Sequence, residues 1–216
     1  MSAATFFMLL FFCLVLWAAW RTFKEDPPEP MPRGAANKQA MHKPLANIAA
    51  DKPAPGPVGI NAGATISEKI EQVMELDRDF APQDLLERAK DSFTKILAAF
   101  ENGKLAEVEE LMSAKIHSHL QHTHKSAVKA GRFPKTEIIR FKRISITETR
   151  LKDRFADMDI LFETEQVALI VNKDGKTIEG DENQILFVRD LWTFSRDLKS
   201  KGEWVLSGMK TAEEKK

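Results

Sequence analysis

The chain has 216 residues, with 32 Lys or Arg balanced by 32 Asp or Glu, so its net charge is zero at neutral pH. A chain without positive excess is not expected to bind nucleic acid in general. The single cysteine, Cys13, lies in an apolar N-terminal run, which excludes disulfides, thiolate metal sites and a cysteine nucleophile from the rest of the chain.

Residues 3–20 form that apolar run, and Arg21 and Lys24 follow it. At about 1.5 Å per residue the run spans roughly 27 Å, enough to cross the hydrocarbon core of a bilayer. A cleaved signal peptide, a mitochondrial presequence and a buried core helix are the alternatives. The run has no basic start, no small-residue cleavage site and no polar face, so we predict an uncleaved transmembrane helix. The cations on its C-terminal side place the body of the chain in the cytoplasm by the positive-inside rule.

Residues 21–64 are predicted to form a disordered linker, because Pro, Gly, Ala and Asn dominate and large apolar side chains are few. The stretch cannot bury enough surface to offset the entropy of ordering it. Eight of the ten prolines lie here: Pro27, Pro28, Pro30, Pro32, Pro44, Pro53, Pro55 and Pro57.

Residues 65–216 are predicted to form one α+β domain, helices first and an antiparallel sheet of about four strands after them. Thr65 and Glu68 have the spacing of a capping box, and Pro82 fits the first turn of a second helix that ends at Gly103. A short helix through 105–112 follows. Ser113 is predicted to cap another, with three apolar residues facing inward. These are Ile116, Leu120 and Val128.

Four strands are predicted after Pro134, at 138–151, 154–171, 185–197 and 204–209, with a hairpin turn at 172–175. Residues 185–194 are apolar on both alternating faces, which is typical of a central strand covered twice. Three alternatives remain for what covers the second face: a sheet that curls on itself, a pocket or a partner. Asp190 and Arg196 share one face of this strand with two aromatic residues, where ion pairs are expected to fix the sheet.

Residues 80–210 resemble the Tim44-like domain family: the C-terminal domain of the mitochondrial import-motor scaffold and its bacterial membrane-anchored relatives. The strongest match is Asp-x-Trp-Thr-Phe-x-Arg-Asp at 190–197, followed by Trp-x-Leu at 204–206. A further match is the stripe of the second helix with the glycine after it. Its residues are Phe80, Leu85, Ala89, Phe93, Ile96, Ala99, Phe100 and Gly103. The segment Leu111-Met-Ser113 with Ile116 also fits. Leu86-Glu87 and Ser92-Phe93 depart from the Gly-Ala and aromatic that family members often carry.

The resemblance implies a curved antiparallel sheet that encloses a large apolar, cone-shaped pocket with helices packed against it. It also implies membrane association and an adaptor role linked to protein transport. Core packing is the favoured interpretation of Trp192 and Phe194, and the alternative is that they line a pocket for a lipid or another apolar ligand. The predicted pocket residues are Met158, Phe162, Trp192, Phe194 and Leu206.

Residues 115–152 carry 10 Lys or Arg against 2 Asp or Glu, whereas 65–112 carry 6 against 12. Such a basic segment suits anionic lipid headgroups or an acidic partner. Equally, its cations would neutralise the acidic segments within the fold. The predicted basic surface consists of Lys115, Lys125, Lys129, Arg132, Lys135, Arg140, Lys142 and Arg143.

Two polar clusters are candidate sites of chemistry. His117, His119, His122 and His124 pair at helical spacing, but no carboxylate or thiolate lies among them, so a solvated polar face is favoured over a pH-sensitive patch or a metal site. The second cluster is expected to be a solvated sheet face rather than a catalytic acid–base pair. Its acids are Asp157, Asp159, Glu163 and Glu165.

The leading functional prediction is a non-catalytic adaptor at the bacterial inner membrane, spanning it once. Its domain, in the cytoplasm, would bind a membrane-protein partner, anionic lipid or both. No cofactor, metal or nucleic acid is expected. A module that binds an apolar small molecule is the alternative, and a structural subunit of a larger complex is the third. Neither the partner nor the oligomeric state follows from the sequence.

Overall fold

The computed structural model describes residues 64–200 and 202–211. The predicted anchor at 3–20 lies outside these residues, as does all of the predicted linker except Ala64. Within the described ranges, no helix is both long and apolar enough to cross a membrane.

In the described part of the chain, four helical segments precede the sheet. They are α1 (Ala64–Leu76), α2 (Pro82–Asn102), a 3-10 helix (Leu105–Leu111) and α3 (Ala114–Lys129). Pro82 stands in the first turn of α2, where its missing N–H has no partner to lose. Gly103 ends α2 in the left-handed conformation, with φ of 69°. Both predicted ends of α2 are confirmed.

The start of α3 is attached to the last strand of the sheet. Ser113 caps the helix as predicted, since its Oγ accepts a hydrogen bond from the Ile116 N–H at 3.4 Å. The Ser113 N–H donates to the Leu206 carbonyl at 2.8 Å. Ile116 and Leu120 are buried as predicted, but the prediction for Val128 is wrong, because its side chain is 39 % exposed one residue before the helix ends.

The described strands form one antiparallel sheet. They are β1 (Phe133–Lys152), β2 (Phe155–Val171), β3 (Thr177–Gly180), β4 (Leu186–Asp197) and β5 (Val205–Thr211), in the order β1-β2-β4-β5, with β3 paired to the end of β2. The α+β class is confirmed, with five strands instead of about four. The additional strand, β3, has only four residues, and its side chains show no apolar alternation.

β1 begins five residues before its predicted start at 138, because Pro134 is accommodated inside it. β1 is an edge strand, where a residue without an N–H is tolerated. The ladder between β1 and β2 has three register shifts, between Ile138 and Arg140, between Phe141 and Arg143, and between Ile146 and Glu148. Irregularities of this kind bend a strand and increase its twist, which gives the sheet its curvature.

The helices cover one face of the sheet, which we call the inner face. The ring of Phe93 on α2 lies 4.6 Å from the Phe162 ring on β2 and 4.6 Å from the Trp192 ring on β4, centroid to centroid. All three side chains are at most 2 % exposed. Such aromatic contacts contribute about 0.5–1.5 kcal/mol each beyond their buried area, so they fix α2 on the sheet.

The opposite, outer face of the sheet is not covered by a helical layer in the described residues. β4 is central, as predicted, between β2 and β5. Its outer face is not covered in the described residues, where Ile185 and Phe187 are 51 % and 44 % exposed. Of the predicted second covers, a partner stays a prediction. The apolar alternation of this segment could not reveal that its outer neighbours are charged side chains of β2.

Arg196 pairs with the helical layer rather than within the sheet. Its Nη1 lies 2.8 Å from Oδ2 of Asp77, in the loop after α1. Phe80, in the same loop, packs its ring 5.5 Å from the Trp204 ring at the start of β5. These contacts fasten the connection between α1 and α2 to the end of β4. Asp190, on the same inner face as Arg196, is buried.

Candidate interaction surface

The five predicted pocket residues lie together on the inner face. They belong to one apolar cluster with side chains of α1, α2, α3 and the 3-10 helix, and each is at most 2 % exposed. They are Met158, Phe162, Trp192, Phe194 and Leu206. In this arrangement they pack as core residues. Ligand binding by them stays a prediction.

The eight residues of the predicted basic surface separate into two sets. Lys115, Lys125 and Lys129 are on α3, and all three are exposed. The other five are on β1 or just before it, where β2 and β3 bring carboxylates into reach. The two sets therefore have to be described separately.

On the outer face, Glu165 of β2 binds two of the β1 cations. Its Oε2 lies 2.6 Å from Nε of Arg140 and its Oε1 lies 2.9 Å from Nη2, which makes the pair bidentate. Lys142 Nζ lies 3.4 Å from the same carboxylate. The hydrogen bond from Arg140 lowers the pKa of Glu165, burial opposes this, and Lys142 adds to the lowering.

Glu163, two residues earlier on β2, is shared between strands on either side. Its Oε2 lies 2.7 Å from Arg143 Nε on β1, and its Oε1 accepts a hydrogen bond from Arg189 Nε on β4 at 3.0 Å. The side chain of Glu163 is only 12 % exposed. One carboxylate thus joins three neighbouring strands.

Asp159 is the most deeply buried of the four β2 acids, with 3 % of its side chain exposed. It accepts hydrogen bonds from Arg150 at 2.7 and 3.0 Å and from the Thr193 hydroxyl at 2.7 Å. Burial raises the pKa of Asp159, but the bonds from Arg150 and Thr193 and the charges of Arg150 and Lys210 outweigh it, so the pKa is lowered. The expectation of a solvated face is wrong for Asp159, because β1 and β4 hold donors on either side of it.

Two predicted cations lie near the start of β1. Arg132 Nη2 is 2.6 Å from Oε1 of Glu179 on β3. Lys135 is exposed, and its charge acts on Glu101 at the end of α2. The Glu101 carboxylate accepts a hydrogen bond from the Thr136 N–H. Burial raises the pKa of Glu101, although this bond and Lys135 oppose the rise.

The α3 lysines have a different environment. None of Lys115, Lys125 and Lys129 forms an ion pair with any residue that the structure describes. α3 itself contains no Asp or Glu. The predicted basic surface thus narrows to α3 and Lys135, because its other members at β1 are held by carboxylates of the sheet.

The four histidines do not share one environment, so a single solvated face is wrong for part of the cluster. His117 is buried, with Nδ1 3.7 Å from Glu109 Oε1 and Nε2 3.2 Å from Gln121 Nε2. The His124 ring packs edge-on against Phe100, with centroids 5.6 Å apart. A Cβ at Gly103 would lie 2.8 Å from His124 Nε2.

His119 and His122 face the other side of α3, and His122 is exposed. Burial lowers the pKa of His119, and the charge of His122 lowers it further. Within the described residues, no three His, Cys, Asp or Glu side chains are grouped so that they could hold a metal ion.

Sequence reasoning missed Ser118 and His122 as neighbours of the α3 lysines. Steps of three and four residues along an α-helix return to the same side, so Lys115, Ser118, His122, Lys125 and Lys129 lie in one row. All five are exposed. We call this row the α3 stripe. Its spacing was visible in the sequence, but nothing there showed which side of α3 faces solvent.

Two sequence comparisons relate the chain to known proteins. A family model for the Tim44-like domain matches residues 66–211. The human mitochondrial import inner membrane translocase subunit TIM44 is 21 % identical over 140 residues, which cover 64 % of this chain and 31 % of that protein. The chain therefore spans about a third of the length of this curated relative. Because the family match covers more than half of its residues, the chain belongs to the Tim44-like domain family.

Proposed function

We propose that this protein is a non-catalytic adaptor, held at the bacterial inner membrane by its N-terminal apolar segment, that binds a protein partner, anionic lipid or both through the α3 stripe. The observation that carries the proposal is the exposed row of cations on α3, which precedes a strand, β1, whose Arg140, Lys142 and Arg143 are paired with carboxylates. Family membership supports an adaptor role, and the human relative is named as a subunit of a membrane translocase.

The state of the acidic side chains supports a role without catalysis. A general base works best when its pKa lies near the working pH. The pKa values of Asp159 and Glu165 are lowered, and both carboxylates are occupied by arginines. These two acids are therefore poorly suited to take up or release a proton near neutral pH.

Attachment to the membrane would compensate for a weak contact. Surface ion pairs contribute about 0.2–1 kcal/mol each, so three lysines alone give modest affinity. A tether raises the effective concentration of the domain near other membrane components without adding any contact. An adaptor of this design would act on partners at the same bilayer and would be sensitive to salt.

The test is a crosslinking pull-down from intact membranes with the full-length chain. The test variant changes Lys115, Lys125 and Lys129 to glutamine, and the matched control changes three other exposed lysines. These are Lys152, Lys173 and Lys199. Mutating the whole basic segment would be uninformative, because it would also remove the ion pairs of β1.

We expect a defined membrane-protein partner that is captured by the wild type and the control but lost with the α3 variant. Capture of no membrane protein by any of the three chains, together with no binding to anionic vesicles, would contradict the adaptor role. If all three chains capture the partner equally, α3 is not part of the surface that binds it.

A second candidate function is binding of an apolar ligand, which a separate observation favours. On the inner face beyond Phe162, residues Ala168, Leu186 and Val188 form a small apolar cluster apart from the main core. Thr164, opposite Val188, has a buried hydroxyl with no hydrogen-bond partner in the described residues. An unsatisfied buried hydroxyl is costly, and a ligand would relieve that cost.

The check is mass spectrometry of apolar molecules extracted from the purified full-length protein. If the ligand lies here, Val188→Trp is expected to lower the extracted amount, whereas Phe187→Trp on the outer face should leave it unchanged. Recovery of the same molecules in equal amounts from both variants would place them elsewhere, for example at the N-terminal apolar segment.

A further inference from the structure

The α3 stripe runs along most of the helix. From Lys115 to Lys129 it covers fourteen residue steps, or about 21 Å. It presents three lysines, one histidine and one serine to solvent. Since none of its lysines is paired within the described residues, the row contributes positive charge that the fold leaves uncompensated.

The position of Lys115 is unfavourable for the helix itself. It lies in the first turn of α3, where the positive end of the helix dipole disfavours a cation, and no acidic residue stands in that turn. α2 has the usual arrangement, with Asp84 in its first turn. Lys129, in the last turn, is favourably placed at the negative end of the dipole, so helix stability accounts for its charge but not for that of Lys115. The exposed charge of Lys115 therefore points to an external partner of opposite charge.

A bilayer surface is the weaker fit for this partner. Helices that lie in a membrane interface insert an apolar side next to their basic side. In α3 that apolar side is already used, because Ile116 and Leu120 are 8 % and 3 % exposed and pack in the core. Only Val128 remains exposed, and it lies at the far end of the helix. The stripe can therefore offer a membrane charge but no apolar insertion.

A protein helix is the better fit, because its carboxylates can match the stripe. Side chains spaced three and four residues apart form a row of the same pitch as the α3 stripe. Asp or Glu in such a row could face Lys115, Lys125 and Lys129 together. The Ser118 hydroxyl and the His122 ring between them can donate or accept further hydrogen bonds.

We propose that the α3 stripe is a docking surface for an acidic helical segment of a partner protein, with carboxylates at three- and four-residue spacing. This inference rests on the proposed adaptor role and names the chemical class of its partner. The contact is electrostatic, exposed and aligned along one helix, so it is specific for the spacing of the acids and weakens with salt.

The test measures fluorescence anisotropy of a labelled 21-residue peptide, about the length of the stripe when extended by one turn at each end, with full-length protein in a non-ionic detergent. In one peptide, glutamates occupy a single row at three- and four-residue spacing. In the other, the same residues are scrambled so that the glutamates surround the helix. We expect the aligned peptide to bind more tightly, and higher salt to weaken it.

The variant K115Q/K125Q/K129Q should bind the aligned peptide on the order of tenfold more weakly at low salt. The control K152Q/K173Q/K199Q, which loses the same charge elsewhere, should bind like the wild type. Circular dichroism of all three proteins checks that each is folded. Equal binding of both peptides, or unchanged binding by the α3 variant, would overturn the proposal.

Vesicles of phosphatidylcholine with phosphatidylglycerol provide the competing arm. Loss of vesicle binding by the α3 variant, without binding of the aligned peptide by the wild type, would assign the stripe to lipid and overturn the proposal. If the pull-down from membranes captures a partner but the peptide does not bind, only this inference fails. If the peptide binds but no membrane protein is captured and anionic vesicles are not bound, the adaptor role fails instead.

Discussion

The cations of β1 and those of α3 come from one basic stretch of sequence but have opposite fates in the fold. Arg140 and Arg143 on β1 are held by Glu165 and Glu163 of the adjacent strand. Lys115 and Lys129 on α3 have no such partner among the described residues. The difference teaches that local charge density does not identify a binding surface. The elements packed alongside decide whether a cation is structural or available.

Among changes to these charged residues, removal of Asp159 should lower the free energy of unfolding the most. Asp159→Ala removes the acceptor of the Thr193 hydroxyl and the bidentate partner of Arg150, which keeps only its contacts with Glu148 and Asp157. We expect a loss of about 2–4 kcal/mol in the free energy of unfolding, measured with urea. Asp174→Ala, in an exposed turn, is the control and should change little. A loss as small as that of the control would mean that the pair of Asp159 and Arg150 does not stabilise the sheet.

Neutralising Glu163 should have a smaller effect. Glu163→Gln keeps the shape of the side chain but weakens its bonds to Arg143 and Arg189. Both arginines are partly exposed and can regain water, so we expect a loss of about 1–2 kcal/mol. A double-mutant cycle with Arg189→Gln measures the coupling. Strictly additive losses would show that the shared carboxylate does not couple β2 and β4.

Acid should destabilise the sheet through two of its paired carboxylates. The pKa values of Asp159 and Glu165 are lower in the folded protein than in the unfolded chain. Their contribution is therefore present above their unfolded pKa values, near 4, and is lost as pH falls through the folded ones. Glu101 has the opposite sign, since its raised pKa favours the fold at low pH.

Urea midpoints measured between about pH 7 and pH 3 should fall on acidification. The fall should be shallower for Asp159→Asn, which lacks one of the titrating carboxylates. The same slope in both proteins would show that Asp159 is not a source of the acid sensitivity.

The smallest effect on stability is expected from the α3 lysines. Replacing Lys115, Lys125 and Lys129 with glutamine removes no ion pair among the described residues. The free energy of unfolding should change by at most about 0.5 kcal/mol, with a small gain from Lys115 at the positive end of the helix dipole. Thermal and urea unfolding check this. A loss above 1 kcal/mol would show that these lysines also serve the fold.

Patterns of short range predicted most of the secondary structure. The ends of α2, the cap of α3 and the order of helices before strands follow from residues close in sequence, such as Pro82, Gly103 and Ser113. β3 was missed because its four residues carry no apolar alternation. The predicted start of β1 was too late, because proline usually interrupts a strand but Pro134 is accommodated in an edge strand.

The candidate surface was harder to predict because it depends on strand register. The sequence showed a basic stretch, but only the ladder places Arg140 opposite Glu165 and Arg143 opposite Glu163. Three irregularities in that ladder shift the register, and no local pattern announces them. The burial of His117 was also hard to predict, because it depends on how α3 packs on the 3-10 helix and not on residues close in sequence.

The attachment of Ser113 to Leu206 has a mechanical consequence. α3 starts at β5, the last strand of the sheet, and the turn at Gly131 leads from its other end directly into β1, the first. A partner that pulls on α3 therefore transmits force to the two opposite edges of the sheet at the same time. A pulling force on α3 is therefore divided between β1 and β5, which are distant from one another in the sheet.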